Sequence, residues 1–256
     1  MADWIMKGLS ASDPSRLRSA DELTAYVQSI GFLPFFANEV PGFSVEEITA
    51  SNAWWTGNRS TDPWEWREAI AAEHIVAYGK FFDGRAGFIS TEWLPYFANA
   101  RRLGWDFDGK WQDGRASLRD KAIMGHFMNV ESEDDPEFYD AAILSTELKR
   151  MAGFGKDGAK NYPGILTELQ MQLYLVIGGF RRRRNKRGEE FGMPVSLITA
   201  PERIWGYKTM SGAYSEEPAE SWQRIYDHMR ELFPRVDGSD IIKLIGKRPE
   251  EMKPNL

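Results

Sequence analysis

The sequence predicts an α+β chain, and three observations carry that prediction. Apolar residues recur at helical spacing in several stretches. Runs rich in β-branched and aromatic residues flank turn-forming sequences twice, the signature of hairpins. One segment, residues 141–205, strings helix, turn, helix and hairpin in the order of a winged helix-turn-helix module. With 256 residues, 42% hydrophobic and 13% aromatic, the chain can bury a sizeable core in one large domain or two modest ones.

The elements follow in order. In SADELTAYVQSIG, Ser19 and Glu22 fit a capping box, Leu23, Tyr26, Val27 and Ile30 share one face, and Gly31 ends the helix, which feeds the apolar run FLPFF. HIVAYGKFFDGRAGFIS reads as two strands around the turn Asp83-Gly84, a dipeptide that favours φ > 0. STEWLPYFANARR and RASLRDKAIMGHFM read as helical at least in part, with Pro95 limiting the first. Asp106 and Asp108 in GWDFDGKW would share one face of a strand, although Asp beside Gly is more often turn chemistry. Residues 1–130 thus form a mixed α/β unit with no repeat and no low-complexity tract. ESEDDPEFYD, residues 131–140, carries six carboxylates and a proline and reads as an acidic linker.

Beyond the linker, AAILSTELKRMAG predicts a short helix with Ser145 as its cap, Glu147 in its first turn and a terminating glycine. After the loop FGKDGAKN, Pro163 opens a second helix whose Ile165, Leu166, Leu169 and Leu173 line one face. LYLVIGGF and FGMPVSLI flank NKRG as a hairpin with arginines at its tip, so residues 141–205 read as a winged helix with a basic wing. Residues 206–256 supply packing helices, AESWQRIYDHMRELF and SDIIKLIG.

Charge singles out the wing. The chain has formal net charge −6, yet Ala141 to Trp205 holds eleven Lys and Arg against six Asp and Glu. Six of those cations, Arg181, Arg182, Arg183, Arg184, Lys186 and Arg187, occupy seven positions. In such a module the wing reaches the nucleic-acid backbone, so contact with DNA or RNA is expected, with double-stranded DNA as the leading partner and Lys160 and Gln170 completing the contact set. Alternation along a strand sends Arg181 and Arg183 one way and Arg182 and Arg184 the other. Six phosphate contacts would give a salt slope of about −5, but three or four simultaneous contacts are more realistic. The second helix offers Thr167, Glu168, Gln170, Met171 and Gln172 as its exposed residues. None is Lys or Arg, and Gln170 or Gln172 could pair with adenine.

Other chemistries are thinly supplied. No cysteine occurs, and His74, His126 and His228 stand in no metal-binding spacing, so neither a metal nor a cofactor is expected. No apolar run approaches 18 residues and the N-terminus lacks the apolar region of a signal peptide, which points to a cytoplasmic protein without a membrane span. The oligomeric state is not legible. Trp54 and Trp55 in NAWWTGN, with Trp66 and Trp64 in DPWEWRE, are candidates for a stacking platform, and Trp54, Trp55 and Trp66 for a base pocket with Arg59 or Arg67 beside it. Ten tryptophans in one chain mean that most belong to the core. Glu39, Glu46, Glu47, Glu65 and Glu68 are the candidate acids or bases, desolvated by aromatic neighbours.

IGFLPFF after a helix, then LSTELKR, ILTELQMQLYLVIGGF, the basic hairpin and TAPERIWG together resemble the AlkZ-type alkylpurine DNA glycosylases and their AlkZ-related cousins. The likeness runs over roughly residues 20–210 and is clearest from Leu144 to Gly206. It implies a tandem winged-helix architecture, DNA binding and, in enzymatic members, hydrolysis of the N-glycosidic bond of alkylated purines. Those enzymes carry Gln-x-Asp or Gln-x-Gln in a stretch that aligns with IGFLPFF, where a carboxylate or amide activates water against the anomeric carbon. Here the two positions are Pro34 and Phe36, neither of which accepts a proton or orients water. The resemblance therefore implies no catalytic residue and a member that binds DNA, damaged or intact, without cutting. Two alternatives stand beside it: an active glycosylase with a carboxylate outside the usual motif, and a sugar-handling or small-molecule enzyme using the Trp-rich half.

Overall fold

Helix α1 (Ala20–Ile30) begins where Ser19 Oγ accepts from Glu22 N at 3.1 Å. It ends at Gly31, whose φ of 92° and whose place against Trp93, 2.6 Å from an added Cβ, both demand glycine. The chain then runs through β1 (Phe32–Pro34), α2 (Val45–Ile48), α3 (Pro63–Glu73), β2 (Val76–Phe82) and β3 (Arg85–Ser90). The three strands make an antiparallel sheet in the order β1-β3-β2. Asp83 and Gly84, both at positive φ, close the β2–β3 hairpin as the dipeptide predicts. In this computed structural model the described residues are 6–132, 136–185 and 187–249, with backbone only for Arg183, Arg184 and Glu190; Lys186 and residues 133–135 of the acidic stretch lie outside them.

Helices α4 (Leu94–Arg102), α5 (Phe107–Gln112) and α6 (Leu118–Met124) lead to the second half. Pro95, expected to limit a helix, sits in the first turn of α4, where its missing N–H has no partner to lose. The stretch around Asp106 and Asp108 is neither strand nor simple turn, because Asp106 stands at the N-cap of α5. There follow β4 (Ala142–Leu144), α7 (Ser145–Met151), α8 (Tyr162–Met171), β5 (Val176–Arg184) and β6 (Glu190–Thr199), with sheet order β4-β6-β5. Ser145 is the first residue of α7 rather than its cap; Leu144 holds the cap position without a side-chain bond because β4 runs directly into the helix. Helices α9 (Pro201–Trp205), α10 (Tyr207–Met210), α11 (Pro218–Leu232) and α12 (Gly238–Ile245) complete the described chain, a mixture of helix and sheet that fits the α+β class.

One pattern occurs twice. Helix, strand, helix, helix, strand, strand, with the first strand pairing the third, describes both α1-β1-α2-α3-β2-β3 and α6-β4-α7-α8-β5-β6. No residue repeat marks this duplicated topology in the sequence, where a tandem arrangement is implied by the family resemblance alone.

Two apolar cores correspond to the two copies. Phe32, Phe35, Trp66, Phe82, Phe88 and Phe97 anchor the first, and Trp222, Ile225, Met229 and Ile241 of α11 and α12 pack into it. The C-terminal helices thus return to the N-terminal half. Phe107, Ile123, Phe127, Leu148, Leu169, Leu175 and Ile198 form the second. Phe107 to Val130, grouped by sequence with the N-terminal unit, therefore share the second core.

Polar bonds between the halves centre on two arginines of α4, Arg102 being buried. Arg102 of α4 donates to Glu202 at 2.6 Å, to Tyr214 Oη at 3.2 Å and to the Leu173 carbonyl. Arg101 donates to the carbonyls of Met171 and Ile245, the last residues of α8 and α12, where helix dipoles are negative. His74 Nε2 donates to Gly178 O at 2.9 Å, so this nitrogen carries the proton.

Candidate nucleic-acid interface

The β5–β6 hairpin owes its shape to local chemistry. Gly178 and Gly179 form a bulge on β5, where Ile177 faces Ile198 and Gly179 already faces Leu197; a Cβ on Gly178 would lie 2.9 Å from Thr199 Cγ2. Nearer the tip, Arg181 pairs with Val195 and Arg183 with Phe191, so β6 carries two extra residues. Pro194, which has no N–H for the ladder, falls in that irregularity. Asn185 closes the turn: its Oδ1 accepts from Arg187 N at 2.9 Å and Glu189 N at 3.1 Å. Its Nδ2 donates to Glu189 Oε2 at 2.8 Å, which draws that carboxylate back to the turn.

The basic residues divide by face. Arg181 and Arg187 are exposed. Arg182 points the other way, onto α3, where its Nη2 donates to Glu65 at 2.6 Å and to Glu68 at 2.9 Å. Two carboxylates, one turn apart on α3, thus hold this guanidinium in place of phosphate. Beneath them lies a cavity of about 300 Å³ lined by Arg59, Glu65, Glu68, Ala69, Phe180 and Arg182.

Gln170, expected on the exposed face of α8, is 2% exposed. Its Oε1 accepts from Lys80 N at 3.2 Å and its Nε2 donates to Leu166 O, so it bonds α8 to β2. Thr167 on the same helix accepts from Lys80 Nζ at 3.4 Å. The helix turns this face to the first sheet because β2 supplies a backbone donor there, a long-range match that spacing within α8 does not reveal. Lys160 is exposed in the loop before α8 and donates to the carbonyls of Gly155 and Lys156.

The tryptophans of the candidate base pocket also separate. Trp54 and Trp66 are core residues, 5% and 2% exposed, and Trp54 Nε1 donates to Thr49 Oγ1 at 3.0 Å. Trp55 is 51% exposed, on a left-handed backbone at φ 63°, and its ring lies 4.5 Å from that of Trp64. Behind Trp64 the Arg67 guanidinium sits 3.7 Å from the ring centroid, with Phe180 of the β5–β6 hairpin 4.6 Å away on the same cation. Burial pushes the Arg67 pKa down, partly opposed by nearby Tyr78, Glu68 and Glu65. The surface platform is therefore Trp55 on Trp64, backed by Arg67. The i, i+3 spacing of Trp64 and Arg67 hinted at this stacking, but the approach of Trp55 required the fold.

Where the glycosylase motif aligns, the structure is apolar. Pro34 is buried opposite Gly87, and Phe36 is half-buried near Trp54 and Trp64, at ring distances of 5.9 and 6.4 Å. The nearby carboxylates already have donors. Glu46, 2% exposed, accepts from Lys7 N at 2.9 Å and Ala37 N at 3.0 Å. Glu47 accepts from Gly42 N and Ser44 Oγ at 2.9 and 2.6 Å. Glu39 meets Lys243 and Arg85, and the Lys243 ammonium above all holds its carboxyl down at about 2. Among the described residues no group of His, Asp and Glu could hold a metal ion, and no helix is long and apolar enough to cross a membrane.

Comparison with curated proteins and with solved structures returns no match. A family model described as AlkZ related does match, over residues 17–246, nearly the whole chain. That span takes in both copies of the repeated topology, the basic hairpin, and the apolar segment where a glycosylase would keep its motif, so the chain belongs to the AlkZ-related family.

Proposed function

We propose that this protein binds double-stranded DNA through tandem winged-helix motifs, gripping the backbone with its second wing and leaving the glycosidic bond intact. The carrying observation is the split of the β5–β6 tip: Arg182 is held by α3, which fixes the hairpin, while Arg181 and Arg187 project into solvent. A hairpin anchored on one face and cationic on the other suits phosphate contact. The repeated helix-strand-helix-helix-strand-strand order, with the first strand beside the third, supports the winged-helix assignment.

Recognition in this reading follows the backbone more than the sequence. Gln170 and Thr167 are occupied by β2, and Glu168 repels phosphate, so α8 supplies little base readout. Trp55, half exposed with its ring tilted 49° against Trp64, offers an aromatic face to an unstacked base, which supports recognition of distorted or damaged DNA. Catalysis by the family's usual route lacks its groups, because Pro34 and Phe36 replace them and Glu39, Glu46 and Glu47 are bonded elsewhere.

Fluorescence anisotropy of a labelled duplex against salt tests the reading, using the native chain and a variant with Arg181, Arg182, Arg183 and Arg184 changed to Ser. The native protein should show a steep slope, and the variant a slope shallower by about 0.9 for each phosphate it no longer neutralises. No binding at low salt, or binding indifferent to the substitutions, overturns the wing assignment. Release of free base from an alkylated duplex overturns the non-catalytic part and directs attention to Glu65 and Glu68.

A further inference from the structure

A cavity of about 390 Å³ opens between the N-terminal segment before α1, the loop leading into α3, and α3 itself. Its volume lies in the range of small-molecule sites. Leu17, Ala50, Ala53, Pro63 and Trp66 give it an apolar floor, and Asn52, Thr56, Asn58 and Thr61 give it polar walls. Arg16 and Arg18 are its only ionised lining groups among the described residues, and no Asp or Glu lines it.

The two guanidinium groups are incompletely used. Arg16 donates from Nε to Ala11 O at 2.8 Å, and Arg18 from Nη2 to Pro14 O at 3.5 Å; among the described residues neither meets a carboxylate. The neighbouring carboxylates face backbone donors instead. Asp62 accepts from Gly57 N and Trp64 N, both at 2.9 Å, and Glu22 accepts from Arg18 N at 2.7 Å. On the floor, Trp66 is 2% exposed and its Nε1 has no acceptor, an uncommon state for a buried indole. Unpaired guanidinium donors, amide and hydroxyl walls and an apolar floor together describe a receptor for a phosphate attached to an organic group.

The cavity also adjoins the surfaces already described. Thr56 on its wall follows the exposed Trp55, and Asn58 precedes Arg59, which lines the cavity under the wing with Arg182. Four of the five residues 55–59, Trp55, Thr56, Asn58 and Arg59, therefore border the exposed tryptophan face, this cavity or the cavity under the hairpin.

We propose that this cavity is a second phosphate-binding site, in which Arg16 and Arg18 pair with the phosphate and Asn58 and Thr61 bond its ester side. A DNA diester and a free nucleotide present the same chemistry; only the first source rests on the DNA-binding reading above.

The test uses the full chain, the double variant Arg16→Ser/Arg18→Ser, and Thr61→Glu, which adds a negative charge at an exposed wall position. Thr61→Glu removes no side-chain hydrogen bond and decides the matter should the arginine variant fail to fold. Duplex binding is followed by anisotropy against salt, and inorganic phosphate and deoxyadenosine 5′-monophosphate are titrated by calorimetry. A duplex salt slope reduced by about 0.9 in the double variant, with duplex affinity also weakened by Thr61→Glu, identifies a backbone diester. Phosphate or nucleotide binding weakened about tenfold in both variants, with duplex binding unchanged or absent, identifies a free phosphomonoester and upholds the site even where the DNA reading falls. The proposal is overturned when the native chain takes up neither phosphate nor nucleotide and its duplex binding ignores both variants, or when phosphate, nucleotide and duplex all bind the variants as tightly as the native chain.

Discussion

Changing Arg182 to Ser should lower stability while leaving the salt dependence of the proposed DNA binding nearly intact, and Arg181→Ser should do the reverse. Arg182 lies 2.6 Å from Glu65 and 2.9 Å from Glu68, with side-chain exposures of 22%, 9% and 18% for the three residues. Removing one member of a fully buried ion pair costs about 3–5 kcal/mol. These groups keep partial contact with water, so a cost of about 2 kcal/mol is expected, and in a chain of this size that lowers Tm by roughly 4–8 °C. The interaction removed is internal, so the slope of log K against log salt should change by much less than the ~0.9 of a phosphate contact. Arg181 is exposed, and its replacement should stay within about 0.5 kcal/mol in stability while flattening the slope by ~0.9. Calorimetric melting and salt-dependent anisotropy on the two single variants give the comparison. A slope that falls as much for Arg182→Ser as for Arg181→Ser, with no drop in Tm, would refute the division of the β5–β6 hairpin into an anchoring face and a proposed binding face.

Two further outcomes concern stability alone. Arg102→Met should cost about 3–5 kcal/mol in urea denaturation, because it strands Glu202, 2.6 Å away with a side-chain exposure of 2%; pairing it with Glu202→Leu should recover much of the loss. Glu39 provides a pH dependence. Its carboxyl is held at about 2 in the folded chain, below the ordinary carboxylate value of roughly 4.3, chiefly by Lys243 and also by Arg85. A depressed folded pKa contributes stability above the unfolded pKa and loses it as pH falls between the two values. The advantage of the native chain over Glu39→Gln should therefore be largest near neutrality, small because Lys243 is 55% exposed, and should shrink steadily from about pH 4 towards pH 2 in urea midpoints.

Local rules carried much of the fold from sequence to structure. Ser19 and Gly31 bound α1, Asp83-Gly84 closes a hairpin, and Asn185 and Gly188 stand in the turn between β5 and β6, because caps and positive-φ turns depend on residues a few positions apart. The same locality explains the miss at Ser145, where a strand entering the helix directly moved the cap position to Leu144. The family was also legible, since its patterns of apolar residues and turns survive in order along the chain.

The amino-acid sequence by itself determined the α+β class, the basic hairpin, the family and the apolar character of Pro34 and Phe36. Tertiary structure alone decided which of those residues face water. Arg182 finds Glu65 and Glu68 across more than a hundred residues, Gln170 finds the backbone of β2, and Trp66 is sealed in the core while Trp55, eleven positions earlier, stands half exposed. Periodicity within one element sorts side chains into opposite faces, but the element packed against each face decides which is buried, and here that partner comes from the other half of the chain.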